Sequence, residues 1–172
     1  VVKDVPKPMA DINGRPFLAY LFDYAISNGV KRVVLSVGYK REVIERYFGN
    51  SYKGVKIEYC VEDSPLGTGG AIKRALGMCV KRETLVLNGD TFFAVNLPSF
   101  VELHNKTTSL VSIALKPMEC FDRYGCVALD GDIVISFEEK KYCDSGLING
   151  GVYLLSRDVL PMLNCLPDIF SF

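Results

Sequence analysis

Glu62-Asp63-Ser64-Pro65-Leu66-Gly67-Thr68-Gly69-Gly70-Ala71-Ile72 is a proline-gated, glycine-rich turn. It lies between an apolar run of strand character, Val55 to Val61, and a run of helical spacing, Ala71 to Val80. Gly67, Gly69 and Gly70 carry no Cβ, so backbone N–H groups can approach a bound group closely there. A helix that begins nearby adds its partial positive charge, which suits the phosphates of a nucleotide. The same residues also suit a tight strand-to-helix connection with no ligand, so the segments around them have to decide.

On the N-terminal side, Pro16 opens an apolar-periodic run through Phe17, Leu18, Tyr20, Leu21, Tyr24, Ala25 and Ile26, and Gly29 follows where a helix C-terminus belongs. Arg32 to Val37 is a β-branched run too short for a helix, and Lys40 to Phe48 has helical spacing before Gly49. On the C-terminal side, Thr84 to Leu87 is a buried strand and Leu97 to Lys106 a helix. This alternation predicts an α/β fold with a mainly parallel sheet and helices on both faces. Beyond it come four strand-like runs, Ser109 to Leu115, Gly125 to Leu129, Ile133 to Phe137 and Ile148 to Leu154, with Asp130-Gly131 as a hairpin turn. The second half is therefore expected to be richer in antiparallel strands. No Pro/Ser-rich linker, repeat or low-complexity tract interrupts the chain, which predicts a single mixed-sheet domain whose halves share one sheet system.

Composition narrows the function classes. The 172 residues include twenty basic and twenty acidic side chains, a balance without the electrostatic footprint of a nucleic-acid binder. No stretch approaches the roughly 20 apolar residues that span a bilayer, and Val1 to Met9 hold Lys3, Asp4 and two prolines instead of a signal-peptide core. A cytoplasmic protein with neither a nucleic-acid nor a membrane partner is expected. An exposed strand edge in the second half could pair two subunits into a homo-oligomer.

Six cysteines, at 60, 79, 120, 126, 143 and 165, form no C-x-x-C pair, and His104 is the one histidine, so neither zinc nor a disulfide framework is expected. Cys60 and Cys79 read as small buried hydrophobes. His104, within Glu102-Leu103-His104-Asn105-Lys106, reads as a helix-surface residue, which leaves no base for a Cys or Ser nucleophile.

Ligands of open parallel sheets lie beyond the carboxyl ends of the strands, where Asn88-Gly89-Asp90 falls. Gly89 permits a sharp turn, and Asp90 offers the hard oxygens that Mg²⁺ takes together with substrate phosphates. An aspartate in this place is equally a turn cap.

Six segments in order carry a resemblance. They are Val5-Pro6-Lys7-Pro8-Met9, Pro65-Leu66-Gly67-Thr68-Gly69-Gly70, Asn88-Gly89-Asp90, Arg123-Tyr124-Gly125, Phe137-Glu138-Glu139-Lys140 and Ile148-Asn149-Gly150-Gly151-Val152-Tyr153. Together they resemble the sugar-phosphate nucleotidyltransferases over nearly the whole chain. The wording is most similar to the D-glycero-D-manno-heptose 1-phosphate guanylyltransferases, with the mannose-1-phosphate guanylyltransferases close behind. The resemblance implies a three-layer, Rossmann-like fold of GT-A type and a Mg²⁺ cofactor. It also implies a reaction in which a sugar 1-phosphate oxygen attacks the α-phosphorus of a nucleoside triphosphate, releasing pyrophosphate and an activated sugar for surface-polysaccharide synthesis.

Carried over residue by residue, Lys7 would neutralise triphosphate oxygens, Asp90 would hold Mg²⁺, and Gly89 would contact the nucleotide. Pro65, Leu66, Gly67, Thr68, Gly69 and Gly70 would line the base and ribose pocket. Gly125 would lie under the sugar, Glu139 (or its neighbour Glu138) would accept from sugar hydroxyls, Lys140 would pair with the sugar phosphate, and Asn149 with Gly150 would complete the pocket. The nucleotide half is expected over about residues 1–96 and the sugar-phosphate half over about 97–172.

Separately, several of these have plainer readings. Lys7 between prolines suits an exposed loop, Glu138-Glu139-Lys140-Lys141 a solvated strand end, and Asn149-Gly150-Gly151 a β-bulge.

The family also carries a Gly-x-Gly-Thr-Arg loop ahead of Lys-Pro-Met and a late Asp-x-Gly segment. This sequence starts at Val1 and stops at Asp168-Ile169-Phe170-Ser171-Phe172, so it resembles an internal fragment. These 172 residues alone are then expected to be inactive and poorly stable, with Phe17 and Leu21 partly uncovered. A non-catalytic nucleotide-sugar-binding module and a transferase of other base or acceptor specificity stay open. A Rossmann oxidoreductase gains no support, because Gly67-x-Gly69-Gly70 does not match G-x-G-x-x-G.

Overall fold

The computed structural model describes residues 5–171, so the chain ends Val1 and Phe172 noted above lie outside it. A 3₁₀ turn at Lys7–Met9 leads into a short hairpin, β1 (Asp11–Ile12) and β2 (Arg15–Pro16), and then α1 (Phe17–Ser27). Next come β3 (Arg32–Val37), α2 (Arg41–Phe48), β4 (Ser51–Tyr52), β5 (Val55–Val61), α3 (Gly67–Met78), β6 (Glu83–Leu87) and α4 (Leu97–Thr107). The remaining strands are β7 (Val111–Phe121), β8 (Val127–Asp130), β9 (Ile133–Phe137) and β10 (Cys143–Ser156). A 3₁₀ turn at Arg157–Val159 and α5 (Leu160–Asn164) follow.

The chain forms two compact units, one built from residues up to Thr84 together with those from Leu155 onward, the other Leu85–Leu154. In the first, β3 and β5 pair in parallel from Arg32 opposite Lys56 to Val37 opposite Val61, and β4 adds antiparallel to β5. A parallel pair needs a crossover, and α2 supplies it. Met9, Leu18, Leu21, Phe22, Val37, Ile44, Phe48 and Ile57 form the core. Phe22 stacks on Phe48 at 4.9 Å between ring centroids, and Tyr52 meets both rings edge-on. Leu21, expected to be partly uncovered, is 6% exposed because its face of α1 is part of this cluster, while Phe17 is half-buried.

The other sheet has the order β6-β10-β7, and β8 and β9 form a separate hairpin with a bulge at Ala128/Leu129. In this sheet β10 lies between β6 and β7, an order that does not follow the chain. Periodicity marks strands but does not say which edges meet. The mixture of parallel and antiparallel pairing agrees with the sequence reading.

His104 reverses its expectation, being 3% exposed and within 2.8 Å of Ser112 Oγ through Nδ1. Leu97, Phe100 and His104 are the buried residues of α4 and follow helical spacing. The polar neighbours Asn105 and Lys106 disguised that stripe in the sequence.

Glu58 sits between two cations: Arg32 Nη2 lies 2.5 Å from one carboxylate oxygen and Lys56 Nζ 2.5 Å from the other. The Arg32 hydrogen bonds, then Lys56, hold its carboxyl down to about 2, from an ordinary 4.5. A carboxyl depressed by folding contributes stability above its unfolded value and loses it as pH falls toward its folded value. Urea denaturation across this pH range should therefore show a flatter acid limb for Glu58→Gln than for the parent. An unchanged limb would remove Glu58 from the acid response.

Candidate functional site

In the first unit, helix α3 starts at Gly67, four residues earlier than the spacing of Ala71–Val80 indicated, so the glycines form its first turn. Gly67 has φ +72°, a left-handed conformation that glycine adopts without penalty. Glu62 braces the entry: its Oε1 accepts from Ser36 Oγ at 2.7 Å and its Oε2 from the Leu66 amide at 3.5 Å.

The amides of Gly69 and Gly70 both donate to the carbonyl of Phe170, at 3.0 and 3.3 Å, and the Phe170 amide donates to Leu66 O at 3.1 Å. A Cβ on Gly69 would enter the Phe170 ring, and one on Gly70 would strike the Asp168 carbonyl. Lys73 Nζ fixes the same tail through Asp168 Oδ1 at 2.9 Å and Leu166 O at 3.0 Å. The N–H groups expected to face a ligand are thus occupied by the chain itself. The exposed part of the motif is Pro65, Gly67 and Thr68, with Leu66 half-buried beside them. Nothing in the sequence flagged Phe170 or Lys73, which lie about a hundred residues from each other. Lys7, also in this unit, is exposed on its 3₁₀ turn next to buried Met9.

In the second unit, β6 ends at Leu87 and a turn carries Gly89 and exposed Asp90. The Asn88 amide donates to Gly151 O at 2.9 Å, so this turn lies against Asn149-Gly150-Gly151 of β10. The approach is close: a Cβ on Gly150 would meet the Phe93 ring, and one on Gly151 would lie 2.8 Å from Asn88 Nδ2. Gly151 also has φ +74°. Asn149 folds onto its own strand, its Oδ1 accepting from the Gly151 amide at 2.9 Å and its Nδ2 donating to the Tyr153 hydroxyl at 2.8 Å. Asn88 and Phe93, which shape this corner, escaped the sequence reading because their partners lie some sixty residues away.

Gly125 meets the other predicted sugar residues through backbone: a Cβ there would strike the Glu138 carbonyl, and the Glu138 amide donates to Cys126 O at 2.8 Å. Glu139 and Lys140 follow directly and are exposed. Lys141 Nζ binds Glu138 at 2.7 Å, which raises the lysine's pKa through that hydrogen bond. Lys140 makes no ion pair among the described residues. An open groove lined by Pro117, Met118, Glu119, Ser145, Gly146 and Leu147 contains none of the predicted site residues.

Among the described residues no cluster of three His, Cys, Asp or Glu side chains could hold a metal ion. An exposed carboxylate at a strand end nevertheless fits Mg²⁺, which binds through one or two carboxylates and completes its shell with substrate phosphates and water.

A Rossmann-like α/β scaffold with a mixed sheet, a glycine-rich helix start and a strand-end carboxylate defines the class as nucleotide-handling α/β proteins. The chain belongs to the nucleotidyl transferase family, whose profile matches residues 1–166. It is 51% identical to the D-glycero-alpha-D-manno-heptose 1-phosphate guanylyltransferase of Campylobacter jejuni, covering the whole chain and 76% of that relative. It is 46% identical to the enzyme of the same description from Aneurinibacillus thermoaerophilus, over the whole chain and 74% of the relative. The crystal structure of HddC from Yersinia pseudotuberculosis superposes with a TM-score of 0.88 at 36% identity, covering all of this chain and 76% of that one. HddC has also been solved complexed with GMP-PN.

Placing a methyl at Gly69 tests the packing of the tail on α3. Gly69→Ala should destabilise the protein by about 1–3 kcal/mol through overpacking. Phe170→Ala in the same chain should recover part of that loss, since neighbours in contact couple. Strictly additive effects in chemical denaturation would show that Phe170 does not pack there.

Proposed function

We propose that the protein transfers a guanylyl group from GTP to a heptose-type sugar 1-phosphate, giving a GDP-sugar and pyrophosphate in the cytoplasm for surface-polysaccharide synthesis. The observation that carries this reading is the corner where Asn88-Gly89-Asp90 lies against Asn149-Gly150-Gly151, a strand-end carboxylate beside a strand stripped of side chains. The 51% and 46% identical relatives support the acceptor, and the GMP-PN complex of HddC supports the base. No helix is long and apolar enough to cross a membrane among the described residues.

The chemistry requires alignment and charge neutralisation more than a protein nucleophile. Lys7 is the cation for triphosphate oxygens, a compact ammonium on a flexible stem. Pro65, Leu66, Gly67 and Thr68 line the base and ribose, while Gly69 and Gly70 hold that wall in place through Phe170. Glu139 accepts from sugar hydroxyls and Lys140 neutralises the sugar phosphate, with Gly125 setting their distance through Glu138. Asn149 has a second amide hydrogen and a remaining lone pair for the sugar. Bound at Asp90, Mg²⁺ would supply charge neutralisation at the α-phosphate. The sugar phosphate oxygen then forms the new bond to the α-phosphorus as the bond to pyrophosphate breaks. In this reading one domain has its nucleotide side over about 1–96 and its sugar side over about 97–172.

Pyrophosphate release, followed with GTP, UTP, CTP, ATP and dTTP against heptose and mannose 1-phosphates, tests the assignment. GTP with the heptose should dominate, and Asp90→Asn should lower kcat by about 100-fold or more. Silence across the panel with nucleotide-sugar binding intact would favour a non-catalytic binding module.

A further inference from the structure

Two cysteines outside the proposed machinery face each other in the second unit. Cys126 Sγ and Cys143 Sγ lie 2.9 Å apart across a separation of 17 residues, both half-buried. Cys126 precedes β8, and its sulfur lies where a Cβ on Gly146 would meet it at 2.9 Å, so β10 backs it. Cys143 opens β10, two residues after Lys141 of the Glu138–Lys141 ion pair. The segment between the two cysteines contains the β8–β9 hairpin and, at its end, Glu139 and Lys140. A disulfide requires the sulfurs to approach to about 2.05 Å, a further movement of under about 1 Å.

We propose that Cys126 and Cys143 are a redox-modification site: a low-molecular-weight disulfide oxidises them to an intramolecular disulfide that pins the segment carrying Glu139 and Lys140. One cysteine thiolate attacks a sulfur of the oxidant, forming a mixed disulfide and releasing one small thiol. The second cysteine thiolate then attacks the protein sulfur and releases the other small thiol. Two protein S–H bonds are lost, one S–S bond forms, and two electrons and two protons end on the two small thiols. The hydrogen bond to Cys143 raises the Cys126 thiol above its ordinary range. In a reducing compartment such a bond is transient, as regulatory disulfides are. The Cys126 carbonyl already accepts from the Glu138 amide, so closure fixes Glu139 and Lys140 where they stand beside Gly125. Fixing a binding segment in place lowers the ordering cost of the sugar phosphate.

Trypsin separates the pair cleanly: cleavage after Arg123, Lys140, Lys141 and Arg157 places Cys126 in peptide 124–140 and Cys143 in peptide 142–157, while Cys120 stays in another. After treatment with glutathione disulfide and alkylation, non-reduced mass spectrometry should find 124–140 linked to 142–157, and dithiothreitol should part them. Cys143→Ser should give only a glutathione adduct at Cys126. No linked pair, or a link through Cys120, would overturn the site. The oxidised protein should show a KM for sugar 1-phosphate lowered about threefold, with the KM for GTP unchanged. Equal shifts in both KM values would overturn the pinning. The linkage is read without substrate, so an absence of transferase activity would count against the proposed function alone.

Discussion

The backbone approach of Asn88 to Gly151 is the constraint on which the corner around Asp90 depends. A hydrogen bond of 2.9 Å between the Asn88 amide and the Gly151 carbonyl holds the end of β6 against β10. Asn88 leaves no space for a side chain at 151, and Phe93 with the Ala114 carbonyl leaves none at 150. The turn bearing Gly89 and Asp90 is aimed by this contact, and Asn149 is drawn back onto its strand by the same bend. A carboxylate placed by backbone contacts is held more tightly than one carried on a long mobile loop.

A related logic operates in the first unit with different partners. The first turn of α3 lacks a side-chain N-cap, and two of its donors, the Gly69 and Gly70 amides, are satisfied by the Phe170 carbonyl. Orphan N–H groups at a helix start must find acceptors, and here a distant stretch of the same chain supplies one. Lys73 then ties that stretch down through Asp168. The glycines of the motif serve two ends: Gly67 makes the left-handed turn, while Gly69 and Gly70 admit the tail.

Around Gly125 the close approach is again of backbone on backbone, and its consequence is electrostatic. Glu138 is engaged with Lys141, while Glu139 and Lys140 stand exposed between them. The same packing brings Cys126 and Cys143 together at the base of that segment, which links thiol chemistry to the position of the two charges.

Much was legible from the amino-acid order. The strands Arg32–Val37, Val55–Val61 and Ile133–Phe137 follow their apolar runs residue for residue, because alternation and β-branching act locally. The six ordered segments marked the family, and the spacing of glycines marked where backbones come close. Tertiary structure decided what lies on the other side of each glycine: Phe170 over Gly69, Phe93 over Gly150, Asn88 over Gly151 and the Glu138 carbonyl over Gly125. It also buried His104, whose polar neighbours suggested the surface, and it set β10 between β6 and β7. A missing Cβ announces that something approaches, but a partner sixty or a hundred residues away is chosen by packing, which local sequence does not encode.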